Sequence, residues 1–469
     1  MEIFTYLIIV FVSLIFFGLV YKNFNNSKIS FENYIIDRNN LTSFNSFSTL
    51  TSSVLGAWIL FSPAEAGTWS GINGIFGYAI GQALPFIAFV FIGPKLRHLM
   101  PNGFSVTEFV NIRYGNFANI IVALISMFYM IVFLCAELTG ISSAAGLISK
   151  IPAWFTALVI GLSVATYVSF AGIRASILTD KYQFRLILPL VLFSVIMVFV
   201  DVDITNAFNN IDDSLISISN FTGAKFGFTL IIAVFAANMF HQGLWQRIYS
   251  VKNTKSLIKS FSATAITVIP IVFLFGFIGI LSVGSDTANN PSVALFATIL
   301  RYSSDWTVIL FLVLAILLVS SSLDTLFNSV SSIVGTDLLK IIPNNENYIH
   351  NAMKVTPYLC LIPAIFIVIQ GYSVLYLFLI ADMVCAAILF PVFFGLYTKN
   401  FNGNESVISM IVGLCVGSLL FAKPDMSPLI SSLPYSGDLF VSFYLAFISS
   451  TLTSLSFYVK NKYLTLPLK

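Results

Sequence analysis

Long apolar stretches recur along the chain from residue 3 to residue 459, and most carry no more than one ionisable side chain. About 20 apolar residues cross the hydrocarbon of a bilayer as a helix. Backbone groups at that depth must be satisfied within the segment or around a closed barrel. The runs are continuous rather than alternating, which excludes barrel strands. Of 469 residues, 58% are apolar and 9% are charged, whereas a soluble domain carries about 25% charged residues. The net charge of +3 gives no reason to expect a nucleic-acid partner. Cys135, Cys360, Cys385 and Cys415 all lie in apolar runs without metal-ligand spacing, and are read as small hydrophobes.

Thirteen spans are expected, near 3–21, 44–69, 74–94, 117–148, 152–171, 182–201, 225–246, 260–283, 305–339, 355–371, 373–397, 404–422 and 438–459. The first follows Glu2 rather than a basic region and lacks a cleavage site, so it reads as a retained span. One alternating set of connections holds Lys22, Lys28, Arg38, Lys95, Arg97, Arg113, Arg174, Lys181, Arg185, Arg247, Lys252, Lys255, Lys259, Lys340, Lys354, Lys399, Lys460, Lys462 and Lys469. The other holds only Lys150, Lys225, Arg301 and Lys423. Basic residues gather on the cytoplasmic side, so the N-terminus is expected outside and the C-terminus in the cytoplasm, in the cytoplasmic membrane. The whole of 1–469 reads as one transporter domain, and no catalytic triad, metal cluster or Walker loop suggests an enzyme or an ATP-driven pump.

Acids inside spans are costly and mark functional sites by default. Glu65, Glu137, Asp324 and Asp382 are such acids, and Asp180 lies at a span edge. In the ninth span, Ser321, Asp324, Thr325, Asn328 and Ser332 recur at helical spacing and form one polar face. Such a face is expected against a cavity or another polar helix, and its oxygens suit an alkali or alkaline-earth cation. The second span carries hydroxyls from Ser48 to Ser53, then Gly56 and Pro63. Proline and glycine predict an interruption that frees carbonyls for an ion and amides for a solute. Asn238, His241, Gln242 and Gly243 interrupt the seventh span in the same way, with His241 read as a helix-end residue. Two broken helices five spans apart run oppositely. They predict inverted halves, 44–201 and 225–397, with one peripheral span at 3–21 and two at 404–459.

With "GIRASILTDKYQ" (172–183), "WQRIYSVKN" (245–253) and "SSSLDTLFNSVSSIVGTDLLK" (320–340), the chain resembles the sodium/solute symporter family over nearly its full length. The resemblance implies an all-α, LeuT-like core of five plus five inverted helices. It implies a sodium site made by the Ser321 and Ser322 hydroxyls with the carbonyls of Thr51, Val54 and Leu318. Asp180 matches an acid near the ion's inward path, and Asp324 and Thr325 match a second cation site of some members. Asp324 replaces the usual hydroxyl there, which leaves a stronger or a proton-sensitive site open. The stretch 71–116 and "ILTDKY" resemble the urea-transporting branch, although that branch usually has an acid where His241 and Gln242 stand. The proline branch has an acid where this chain has Ser53.

The expected activity is sodium-coupled uptake of a small polar solute by alternating access, with urea or an amino acid such as proline as candidates. Trp58, Glu65, Tyr78, Gln82, Glu137, Asn238 and Trp245 are the candidate pocket residues. Sodium is the coupling ion, no cofactor is expected, and the partners are the solute, sodium and the bilayer, without an obligate protein partner. A passive channel or a transporter-like sensor is the alternative.

Overall fold

The computed structural model describes residues 2–25, 29–338 and 346–464. Lys28, Lys340 and Lys469, and the end of the 320–340 motif, lie outside them. Among the described residues, twelve helices are long and apolar enough to cross a membrane. The helices used below are α1 (Glu2–Phe24), α2 (Ser43–Val54), α3 (Ser62–Leu99), α4 (Asn116–Ser149), α5 (Ala153–Ala171), α6 (Ile173–Asp201) and α7 (Phe221–Met239). They continue with α8 (Gln242–Ser250), α9 (Thr254–Gly284), α10 (Asp305–Ile333), α11 (Glu346–Gln370), α12 (Val374–Phe393), α13 (Gly403–Leu420) and α14 (Leu439–Val459).

Twelve long helices and thirteen expected spans are reconciled at Gly71. There α3 adopts φ 62° and ψ −156°, a conformation that L side chains avoid. A side chain at Gly71 would also run into the backbone of Leu215. The first part of α3 therefore completes the crossing begun by α2, and the rest is the next crossing. The ninth span ends its α-helix at Ile333 and continues as a π turn, Val334–Leu338.

The interruption of the second span lies between Leu55 and Phe61, at the expected place, but Pro63 does not break a helix there. The Thr42 hydroxyl accepts from Asn45 N and starts α2, which ends at Leu55. A short 3-10 turn, Ala57–Leu60, leads into α3. Pro63 lies in the first turn of α3, where a missing N–H costs nothing. It starts a helix rather than breaking one, and Gly56, extended at φ −76° and ψ 178°, sits in the gap. In the seventh span the chain leaves the helix at Phe240 and resumes at Gln242.

Glycine contacts bring helices together as small residues do within membranes. Gly67 of α3 faces the carbonyl of Gly276 on α9, and Gly77 of α3 faces Gly227 on α7. The basic connections gather at one end of the bundle. Arg97 donates to Ile248 O (2.7 Å) and Val251 O (2.8 Å), Lys95 to Leu396 O (2.6 Å), and Arg113 to Phe401 O (2.9 Å). At the other end Lys225 pairs with Asp438, and Arg301 donates to Asp286 O at 2.8 Å. Arg247 departs from this pattern. It was expected among the loop cations, yet its side chain is 1% exposed and lies inside the bundle.

Candidate functional site

The three motifs meet in one buried cluster. Asp180 on α6 accepts from Ser321 Oγ of α10 (2.6 Å) and Ser53 Oγ of α2 (3.0 Å). Its Oδ2 also lies 3.1 Å from Arg247 Nη2 of α8. That nitrogen is 2.9 Å from Ser53 Oγ, 3.1 Å from Thr325 Oγ1 and 3.2 Å from Ser176 Oγ. Asp324 accepts from Ser176 Oγ (2.6 Å), Thr179 Oγ1 (2.8 Å) and Tyr167 OH (3.1 Å). Thr325 donates to Ser53 Oγ at 2.9 Å. Burying charge requires such partners, and five helices, α2, α5, α6, α8 and α10, supply them. The remaining stripe meets polar helices too: Asn328 donates to Gln246 Oε1 (3.1 Å), and Ser332 Oγ accepts from Gln242 Nε2 (3.4 Å).

A second arrangement holds the break after α2. Glu137 of α4 accepts from the backbone N–H groups of Ala57 (2.7 Å) and Trp58 (3.3 Å), and from Ser322 Oγ (2.8 Å). A carboxylate thus satisfies amides that the interrupted helix leaves open. The carbonyls proposed for sodium remain close to this gap. Thr51 O accepts from Leu55 N (2.9 Å), and Val54 O from Gly56 N (2.9 Å) and Trp58 Nε1 (2.9 Å). Leu318 O accepts from Ser322 Oγ at 3.2 Å. Val54 O already accepts two bonds, so it must give one up to hold a cation, whereas Thr51 O accepts one of the bonds named here.

Beside the break lies a small central cavity of about 20 Å³, the size of a single water site. Val54, Trp58, Tyr78, Gln82 and Asn238 line it, together with Tyr129, Phe133, Val234, His241, Phe378 and Asp382. Three expected pocket residues stand elsewhere. Glu137 serves the break, and Glu65 accepts from Ser373 Oγ (2.8 and 2.9 Å) in a separate vestibule. Trp245 packs on Phe89 and donates to Met239 O at 2.9 Å. Asp382 was visible as an intramembrane acid, but no spacing linked it to Tyr129 or Phe133 on another helix. Arg247 was hidden by its resemblance to a loop cation.

The fold is that of known cation-coupled transporters. A Na+-coupled sialic acid symporter in a substrate-bound outward-open state matches with TM-score 0.79, 16% identity and 97% coverage of each chain. Mhp1, a nucleobase-cation-symport-1 family transporter closed around bromovinylhydantoin, matches with TM-score 0.59 and 13% identity over 94% of this chain and 98% of its own. The core is therefore LeuT-like, with five plus five inverted helices. The Spermidine transporter DUR31 of Candida albicans is 25% identical over 378 residues, covering 78% of this chain and 71% of its own. The Probable urea active transporter 1 of Schizosaccharomyces pombe is 27% identical over 186 residues, 39% of this chain and 27% of its own. The Urea active transporter of Saccharomyces cerevisiae is 26% identical over 159 residues, 33% of this chain and 22% of its own. The sodium:solute symporter family matches residues 34–413. With its three motifs gathered on one buried ionic cluster beside a broken helix, the chain is a solute transporter and belongs to the sodium:solute symporter family.

Proposed function

We propose that the protein couples inward sodium movement to uptake of a small nitrogen-containing polar solute across the cytoplasmic membrane. The observation that carries this reading is the pairing of Ser321 with Asp180 and of Ser322 with Glu137, at 2.6 and 2.8 Å. Two adjacent hydroxyls on α10 face acids beside the carbonyls of Thr51, Val54 and Leu318. Counted as ionised, Asp180 and Asp324 outnumber Arg247 by one charge, so one further cation balances the cluster. We assign sodium binding to Thr51, Val54, Leu318, Ser321 and Ser322. Asp180, Asp324 and Thr325 are assigned to a second cation site or the exit path. The solute site is assigned to the central cavity.

Coupling then has a simple physical form. Sodium joins the broken α2 to α10 and favours one conformer, and that conformer presents Trp58 and the rest of the cavity wall to the solute. The coupling free energy is reciprocal, so solute raises sodium affinity by the same factor. The halves 44–201 and 225–397 rock against each other around the site, as inverted repeats do. The N-terminus lies outside and the C-terminus in the cytoplasm. The spermidine and urea transporters among the relatives favour nitrogen-rich solutes over sugars.

The test is uptake of radiolabelled urea, proline and spermidine into proteoliposomes under an inward sodium gradient, against equal potassium. Sodium-dependent accumulation of one of them is the expected result. Equilibration without accumulation would make the protein a passive channel. Binding without transmembrane flux would make it a sensor.

A further inference from the structure

Asp382 is the one charged side chain among the described residues lining the central cavity, and it is 4% exposed. No hydrogen bond or ion pair to its carboxylate occurs among the described residues. The other intramembrane acids differ: Asp180, Asp324, Glu137 and Glu65 all receive hydroxyl or amide donors. A buried carboxylate that no protein group pairs is costly and calls for a cationic partner.

The walls around it are aromatic. Trp58 and Tyr78 stack with centroids 5.5 Å apart, and Phe378 meets Phe133 edge-on at 4.8 Å. Trp58 and Phe378 are 6.4 Å apart, which closes one side of the box. Phe378 and Asp382 stand four residues apart on α12 and so share a helix face, which sets a ring beside the carboxylate. Ring faces attract a desolvated ammonium group. Two acceptor atoms are left near it. Asn238 Nδ2 is spent on Val234 O at 3.0 Å, leaving its carbonyl oxygen, and His241 Nδ1 has no partner. The separate vestibule containing Glu65 is also lined by Asp425, Asp438 and Lys225, three acids against one lysine. An unpaired carboxylate among ring faces describes a site for a positively charged group.

We propose that the transported solute is an organic ammonium cation whose charged nitrogen pairs with Asp382 inside the box of Trp58, Tyr78, Phe133 and Phe378. This rests on the reading of the protein as a symporter and selects, among nitrogen-containing solutes, the cationic ones. Asp382 is the specificity-determining residue, because a neutral solute leaves its charge unpaired.

Equilibrium binding of radiolabelled putrescine to the full-length protein in neutral-lipid nanodiscs tests the assignment, with ethanolamine, 1,4-butanediol and urea as competitors. Putrescine and butanediol differ only in ammonium against hydroxyl. The expected result is sodium-enhanced putrescine binding that ethanolamine displaces and butanediol and urea do not. Asp382→Asn should weaken it roughly thirtyfold or more. Phe378→Leu, which keeps the site apolar, should weaken it roughly two- to thirtyfold. Thermal unfolding of both variants shows whether they fold, and competition on the wild type decides the matter if Asp382→Asn does not. Absence of putrescine binding to the wild type overturns the proposal, as does equal competition by butanediol or wild-type affinity in Asp382→Asn. Putrescine bound equally with and without sodium supports the cation site and overturns sodium coupling. Sodium-driven urea uptake by a protein that excludes amines does the reverse.

Discussion

Arg247 Nη2 lies 3.1 Å from Asp180 Oδ2, and the two side chains are 1% and 0% exposed. The pair joins α8, which follows the break in the seventh span, to α6. Through Ser53 it also reaches α2, which precedes the break in the second span. Both broken crossings therefore close on one ion pair. A relative movement of the two halves must carry this pair intact or part it.

Removing one member of such a pair leaves an uncompensated buried charge. Arg247→Met is expected to cost about 3–5 kcal/mol of stability, read as a lower melting temperature of the purified protein. The double variant Asp180→Asn with Arg247→Gln should recover much of that loss, because neutral partners need no counter-charge. A single variant as stable as wild type would mean that the guanidinium does not compensate Asp180.

The two other intramembrane glutamates should behave differently from each other. Glu137→Gln weakens charge-assisted bonds to Ala57, Trp58 and Ser322, each worth about 1.5–3 kcal/mol. It is expected to lower stability and sodium affinity together. Glu65→Gln acts on the contact with the Ser373 hydroxyl in a separate vestibule, and should leave the sodium response unchanged. Sodium titrations of uptake on both variants compare them, and equal effects would remove the special role of Glu137.

What the sequence reveals and what it hides follow from the range of the interactions. The face from Ser321 to Ser332 was legible because helical periodicity fixes it within one segment, and its partners are polar helices as that face requires. The seventh-span break was legible from polar residues interrupting an apolar run. Pro63 misled, because proline in a first turn and proline at a break look alike until the helix start is known. Arg247 has the same sequence signature as a loop cation, and only the docking of α8 against α2, α6 and α10 buries it. The cavity was half legible. Trp58, Tyr78, Gln82 and Asn238 lie near the expected breaks, whereas Tyr129, Phe133, Phe378 and Asp382 come from two other helices that no local spacing connects.

Orientation is open to labelling. Cys135, Cys360 and Cys385 are buried and Cys415 is exposed, so Cys415→Ser provides a quiet background. A cysteine at Asn210 should react with a membrane-impermeant maleimide in intact cells, and one at Asn25 only after permeabilisation. Both positions are exposed. The reverse order would invert the topology drawn from the basic residues.

The sodium site gives the most exposed prediction. Ser321 Oγ donates to Asp180 Oδ1 at 2.6 Å, and Ser322 Oγ to Glu137 Oε2 at 2.8 Å. The proton of Ser321 goes to an acid and that of Ser322 is shared between Glu137 and Leu318 O, and each hydroxyl oxygen keeps lone pairs that can hold a cation. Alanine at either position removes that oxygen while favouring the helix. The acids keep other donors: Asp180 retains Ser53 and Arg247, and Glu137 retains two backbone N–H groups. Folding should survive, and the loss should fall on the ion. A ligand interaction with a charged partner is worth about 1.5–3 kcal/mol, so sodium half-saturation is expected to rise roughly ten- to hundredfold, at about 1.4 kcal/mol per decade. By reciprocity, solute affinity should fall at low sodium and recover as sodium is raised. Asp324→Asn is the companion measurement: a second cation at Asp324 requires a shallower sodium response, whereas a purely structural role requires lower stability with unchanged steepness. Uptake by well-folded Ser321→Ala and Ser322→Ala proteins with wild-type sodium dependence would dismiss this site, and with it the structural basis for coupling at α10.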